Sequence, residues 1–469
     1  MSAYRLIRDI PIEENYDVIV AGGGPAGAAA AISAGRLGAK VLLVEGTGCM
    51  GGMGTSGLVT AFDPMANGEQ GLVGGIMREI VETLYVRRHL GPDVTPDCWR
   101  KYYHCWIEFQ VEGLKLLLDE LAMQAGVEVR YFTRVIDADA DTKTGRVNGV
   151  VLNNIEGHRY VRAGTFIDCT GDAVLAGLCG AACREAGRDT PRPMPATLTS
   201  LHTNVDWDRI KASSENPWKF FQDKLHQAIE DGHFTQPDKF LAGFSRVGRT
   251  NGYLNGGHVF NLNALRCRDL SEGIMQGRRL AQEYLAFFRK YVPGCENMEL
   301  MTTASLMGIR ESRRIVGEYE LNFADYLARR QFPDQIGVFN KHVDIHAYDT
   351  SEAEYQRLME EITTSGRLGP GECFGIPYGI LVPKGWSNLW VAGRCSSSDV
   401  KVHGSIRVQP ACAMMGQAAG TAAVQSIRTG QPACDIDTEQ LVLTLRQHDA
   451  FLPQPMLFKK MTRGEKQSE

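Results

Sequence analysis

Three glycines at a fixed interval, Gly22, Gly24 and Gly27, lie between an apolar run ending at Ala21 and an alanine-rich segment. The chemistry that this spacing serves is the grip on a pyrophosphate. Gly22 permits a tight turn, Gly24 lets the backbone approach phosphate oxygens, and Gly27 lets a helix lie close to a strand. Pro25 suits the first helical turn, where its missing N–H costs nothing, and Ala26 follows it as a small residue. The helix N-terminus then presents free N–H groups and a positive dipole end. A second apolar run, Ala39 to Val44, ends at Glu45, whose carboxylate is placed to accept hydrogen bonds from the two hydroxyls of an adenosine ribose. Glycines alone are weak evidence, but strand, turn, helix, strand and acid in that order predict a dinucleotide-binding unit.

Other residues have types suited to work on a bound molecule. His403, neutral near physiological pH, is a candidate general base, the alternative being a loop histidine with a solvent or backbone partner. Arg407 fits a carboxylate clamp or a cation over a cofactor ring, and fits equally an ion pair that orders its loop. Arg310 opens the cluster Arg310, Glu311, Arg313, Arg314, which reads either as a solvated helix face or as the source of one active-site arginine. Tyr378 could hydrogen-bond substrate or sit in the core with a satisfied hydroxyl. His342 and His346 have helix-like metal spacing, but Asp344 and the β-branched neighbours suit an extended segment, so no metal is assigned. Cys179 and Cys183 could share a helix face as a redox pair, with ordinary packing the plainer reading.

The elements that must hold these residues follow from the pattern. The loop Gly48 to Gly57 carries Cys49, Gly51, Gly52 and Met53 just beyond Gly46, and its missing side chains let backbone lie flat against a ligand. Helices are expected near Gly75 to His89 and from about Glu112 to Ala125, where Leu114, Leu117, Leu118 and Leu121 recur at helical spacing before Gly126. Three β-like runs, Glu128 to Val135, Arg146 to Leu152 and His158 to Asp168, suggest an antiparallel meander returning to a parallel strand. Thr170, Gly171 and Asp172 then fall at the carboxyl edge, where open α/β sheets bind ligands, and Val135 ends the first run. From about Glu185 to Lys341 prolines, aromatics, Arg and His become prominent, which reads as an inserted domain with a helix from Ser271 to Val292.

The last third supplies a turn and buried strand within Leu381 to Arg394 that breaks at Gly393, followed by a small-faced helix, Pro410 to Ala423. Gln409 precedes that helix and Gly416 lies in it. Its N-terminus is suited to the pyrimidine edge of a flavin, where a positive dipole end stabilises charge on the reduced ring; tight helix packing explains the small residues equally well. A closing strand and helix serve FAD, which carries its own redox ring. A second GxGxxG fingerprint is missing after Gly126, as is a CxxxxC pair near the first glycine loop, so a two-nucleotide disulfide reductase is disfavoured.

These segments, GGGPAG at Gly22 to Gly27, GGM at Gly51 to Met53, GIRESRR at Gly308 to Arg314, Ile376 to Arg394 and Gly404 to Gly420, resemble FAD-dependent oxidoreductases of the glutathione-reductase-like class over nearly the whole chain. More distantly the chain looks like the fumarate reductase and aspartate oxidase group. The resemblance implies extended FAD, with adenosine at Glu45, pyrophosphate at Gly22 to Gly27, and the isoalloxazine between the Gly51 loop and the Gly404 to Gly420 segment. A thioether from Cys49 to the flavin is the special case, a free thiol the ordinary one.

The expected fold is α/β: a Rossmann-like FAD domain built from residues 1–185 and 365–430, a substrate or cap domain over 186–364, and a helical tail over 431–469. A length of 469 residues and 43% hydrophobic content suit several cores. A net charge of -5 gives no reason to expect a nucleic-acid partner. The absence of a signal-like or spanning apolar segment makes a cytoplasmic location the default, with a small-molecule substrate, no membrane partner, and a homo-oligomer left open. Twelve cysteines without metal spacing read mostly as reduced thiols. The expected reaction is hydride transfer from an alcohol, amine or hydroxy acid to flavin N5, with reoxidation by oxygen or another acceptor. The alternatives are reduction of an activated C=C bond and, in a different class, a tRNA-modifying flavoprotein.

Overall fold

The computed structural model describes residues 4–364 and 366–453. Residue 365, where the second cofactor segment was predicted to start, and the end of the predicted 431–469 tail lie outside the described residues. What precedes them in the tail includes the helix Thr438–Gln447.

Val18 to Ala21 and Val41 to Val44 are almost wholly buried, as strands covered on both faces must be. They pair in parallel within a seven-stranded sheet. In spatial order its strands are Glu128–Arg130, Val41–Val44, Ile12–Ala21, Gly157–Asp168, Arg146–Asn154 and Arg134–Asp141. The seventh, Leu389–Val391, completes the parallel part through Leu389↔Phe166 and Val391↔Asp168.

Gly157–Asp168 is long enough to serve two neighbours on one edge. Residues Gly157 to Arg162 pair antiparallel with the meander, and Phe166 to Asp168 pair with Leu389–Val391. The predicted first run of the meander is two strands. Glu128–Arg130 extends the parallel sheet, the chain turns at Phe132 with φ 52°, and Arg134–Asp141 enters the meander. An alternating apolar pattern cannot reveal a change of partner between consecutive residues.

The fingerprint helix Pro25–Arg36 is buried from Ala26 through Ala34 because it packs on the sheet and, along its side, against the closing helix Gln409–Thr429, which touches the same sheet. A Cβ on Gly416 would stand 2.0 Å from the Ala26 carbonyl oxygen, and one on Gly420 2.2 Å from that of Ala30. Small residues here set the interhelical distance.

The inserted region builds a four-stranded antiparallel sheet, ordered Gly243–Arg246, Gly252–Asn255, Ser200–Thr203, Glu299–Thr303. The 25-residue helix Cys267–Tyr291 covers a separate apolar cluster with Phe221, Phe244, Tyr284, Phe287 and Phe288. Leu321, Tyr326, Ile336 and Phe339 join the core of the fingerprint helix instead.

Cys98 and Cys105 form a disulfide with Cα atoms 5.1 Å apart, an exception to the reduced-thiol reading. Cys179 and Cys183 do not share a helix, because Gly180 at φ +86° ends Val174–Cys179 and Cys183 begins a strand. No helix among the described residues is long and apolar enough to cross a membrane.

Candidate functional site

The glycine turn has the shape of a cradle. Gly22 adopts φ +91°, and a Cβ there would meet the Cys169 carbonyl at 2.7 Å. A Cβ on Gly27 would lie 1.8 Å from the Gly22 oxygen. Gly24 differs from both: nothing lies within 4 Å of where its Cβ would stand, and no side chain caps the helix it begins. Open space and uncapped N–H groups at a helix N-terminus are what a pyrophosphate requires. Glu45 is anchored by backbone, accepting from Gly23 N–H through Oε2 and from Thr47 N–H through Oε1, both at 2.7 Å. Its predicted ribose contacts would use the remaining lone pairs.

Contacts between backbone segments gather the other cofactor residues around this turn. Gly51 donates its N–H to the Gly23 carbonyl at 2.8 Å, and Gly52 approaches Gly24. Gly393 lies against Ala26. Gln409 at the head of the closing helix donates to the carbonyls of Val59 and Ala61, which seats the Gly51–Met53 turn beside that helix N-terminus. Beyond Gly171, Asp172 accepts from Arg394 at 2.8 Å and from the Ser312 hydroxyl at 2.5 Å. Thr170 is held by Asp168, a fully buried carboxyl whose proton affinity burial raises. The cradle, the two glycine turns and the converging strand ends fit an extended FAD.

Some predicted contacts have other duties. Gly416 and Gly393 make room for the fingerprint helix, Gly46 makes room for Arg134, and Val135 belongs to the apolar cluster of the meander. The Cys49 thiol is free and lies 3.3 Å from the Ser56 hydroxyl.

The catalytic candidates divide sharply. Tyr378 is a core residue: its hydroxyl donates to the Ala433 carbonyl at 2.8 Å and accepts from the Trp390 indole at 2.7 Å, which corrects its placement in the site. His403 is 1% exposed, and its Nε2 donates to the Arg310 carbonyl at 3.1 Å. Burial, then the charges of Arg314 and Arg407, hold it far below the ordinary histidine range. In place of the expected general base, the geometry makes it a neutral support that fixes the backbone of Arg310.

Arg310 and Arg407 belong to a buried polar constellation. Arg310 donates through Nη1 to the Pro195 carbonyl at 2.6 Å and to the Thr197 hydroxyl at 3.0 Å. Burial, then the nearby Arg407 charge, lowers it to about 10. Arg407 donates to the Asp344 carbonyl and carboxylate at 2.9 and 3.0 Å, while its buried Nε finds no partner. Burial would raise Asp344, but Arg407, then His346 and Lys341, outweigh it and hold the carboxyl far down. Although set among these groups, Asp344 keeps 30% of its side-chain surface open. Lys341 donates to Asp63, and His342 meets His104 edge-on.

Sequence reading missed Asp238 and His258, which pair at 2.9 Å in the inserted region. Their 20-residue separation leaves no local pattern to find. His342 and His346 lie outside helices, and no metal-holding group of His, Cys, Asp and Glu occurs among the described residues.

Among solved structures, one titled a geranylgeranyl bacteriochlorophyll reductase-like protein from Thermoplasma acidophilum is 14% identical, with 96% of this chain and 84% of that one covered and a TM-score of 0.43. The p-nitrophenol 4-monooxygenase of Pseudomonas putida is 11% identical, with coverages of 93% and 81% and a TM-score of 0.43. A flavin-dependent brominase is 13% identical, with coverages of 92% and 83% and a TM-score of 0.43. The model of the family described as FAD dependent oxidoreductase matches residues 17–445, the span that contains the fingerprint, the inserted sheet and the closing helix. The chain belongs to that family of FAD-dependent enzymes.

Proposed function

We propose that this FAD-dependent oxidoreductase oxidises a small organic acid at the carbon beside its carboxylate, a hydroxy acid or an amino acid. The observation that carries this reading is the pair Arg310, which is buried, and Arg407, nearly so, close enough that the Arg407 charge lowers Arg310. Buried cations of like sign are costly unless an anion joins them. Asp344 answers one, and the unpartnered Arg407 Nε is a donor left for a ligand carboxylate. A closing strand and helix that complete the fingerprint sheet support placement in the glutathione-reductase-like class.

When bound, FAD would supply a two-electron oxidant for the substrate C–H bond. The chain's own work is to bind and orient. Arg310 and Arg407 hold the carboxylate, His403 fixes the Arg310 backbone, and Gln409 ties the Gly51–Met53 turn to the closing helix.

The test is anaerobic absorbance of the FAD-loaded protein during addition of hydroxy acids, amino acids, and uncharged alcohols and amines. Carboxylates should bleach the flavin band and uncharged analogues should not. Bleaching by simple alcohols alone would overturn the assignment. Arg407→Gln should weaken the productive carboxylate by about 30-fold or more, the usual cost of removing one partner of a buried charged pair.

A further inference from the structure

We propose that His346 is the proton acceptor of this oxidation and that the His258–Asp238 pair positions it. The inference rests on the organic-acid reading above.

His346 is 6% exposed, with Nε2 3.6 Å from Asp344 Oδ1. Its ring meets the His258 ring edge-on, with centroids 5.0 Å apart. His258 is fixed twice to one oxygen: Nδ1 lies 2.9 Å from Asp238 Oδ2, and its backbone N–H donates to the same atom at 3.2 Å. Phe240 lies parallel to His258 and edge-on to His346, which closes this face with an apolar ring. A strand pair sets His258 opposite Thr197, whose hydroxyl receives Arg310. His258 and Arg310 therefore meet at one β-pair, with His346 against the His258 ring and Arg407 joined to His346 through Asp344.

The groups that face His346 are Arg310, Asp344, His258 and Arg407, with Asp238 behind His258. Burial, then the Arg310 charge, outweigh the Asp344 carboxylate and keep His346 far below the ordinary histidine range. A substrate carboxylate would neutralise both guanidiniums and leave Asp344 free to favour imidazolium. His346 thus becomes basic when substrate arrives. In the step itself the O–H or N–H bond of the substrate breaks. Its electron pair becomes the second bond of the new C=O or C=N, and the proton forms an N–H bond on the imidazole. The hydride from the same carbon is the part FAD accepts.

The test uses benzoate, a carboxylate without an oxidisable C–H beside it, and calorimetry of the FAD-loaded protein in buffers of different ionisation enthalpy. Binding near pH 6 should take up on the order of half a proton. His346→Gln should bind benzoate within about threefold yet take up none, and Asp238→Asn should lose part of the uptake while keeping its flavin spectrum. Because proton uptake accompanies binding, benzoate affinity of the unaltered protein should rise as pH falls, a measurement that needs no variant. Unchanged uptake in His346→Gln, or an affinity that is flat with pH, overturns the assignment of His346 and leaves the organic-acid reading standing. If benzoate does not bind and no carboxylate bleaches the flavin, both fall together.

Discussion

At the scale of single residues, the glycines of the fingerprint differ in what their missing side chain is for. Gly27 is needed by the protein itself, since a Cβ would collide with Gly22, whereas Gly24 faces open space. Gly24→Val should therefore purify colourless and melt at the temperature of the FAD-free parent protein, while Gly27→Val should lose stability before any question of cofactor arises. Absorbance and thermal melts of the two variants check this, and a yellow Gly24→Val protein would remove the pyrophosphate from that turn. Glu108 gives a prediction in pH. Burial raises its carboxyl from 4.5 to about 7, so folding favours the protonated form. The stability it contributes is complete below about pH 4.5 and is lost as pH rises through about 7. Glu108→Gln should flatten that decline by at most about 2 kcal/mol once the partial exposure of the group is discounted, measured by denaturant melts at pH 5 and 8. Residue roles set by local backbone, such as the turn at Gly22, were legible in the chain. Roles set by distant partners were not: Tyr378 looks the same beside a ligand or beside Trp390, and nothing near Asp238 announces His258.

At the scale of elements, the closing helix is where packing and cofactor geometry are the same problem. Gly416 and Gly420 let Gln409–Thr429 lie backbone to backbone on the fingerprint helix, which brings its head to the Gly51–Met53 turn. Gly420→Leu should force the helices apart at a site far from the cradle and cost about 3 kcal/mol or more, with weaker FAD retention following the loss of stability. Retained flavin at unchanged stability would show that the helix spacing is not what aligns the site. The helices against the cofactor sheet were legible because burial imposes a period on sequence, as in Leu114, Leu117, Leu118 and Leu121, whereas Pro217–Glu230 and Glu352–Thr364, with few buried positions, were not placed. The break at Phe132 was not, because it alters partner and direction without altering the apolar pattern.

At the scale of the whole molecule, the inserted sheet is tied to the cofactor sheet through the loop that follows Gly51. The Ser56 carbonyl receives the N–H groups of Ser305 and Leu306, and the Gly57 carbonyl receives the Thr199 hydroxyl. FAD that orders the glycine loop should then slow amide exchange in residues 197–200 and 304–308, remote in sequence from any phosphate contact. Exchange followed by mass spectrometry with and without FAD tests this, and protection confined to residues 22–57 would uncouple the two sheets. The single edge of Gly157–Asp168 has a further consequence, for synthesis. Its Phe166 to Asp168 portion waits for Leu389, roughly 220 residues later, which at about 5–20 residues per second is on the order of tens of seconds of translation. A nascent chain thus leaves the ribosome with a bare apolar strand at the centre of its first domain, a hazard for aggregation that chaperone binding in that interval would relieve.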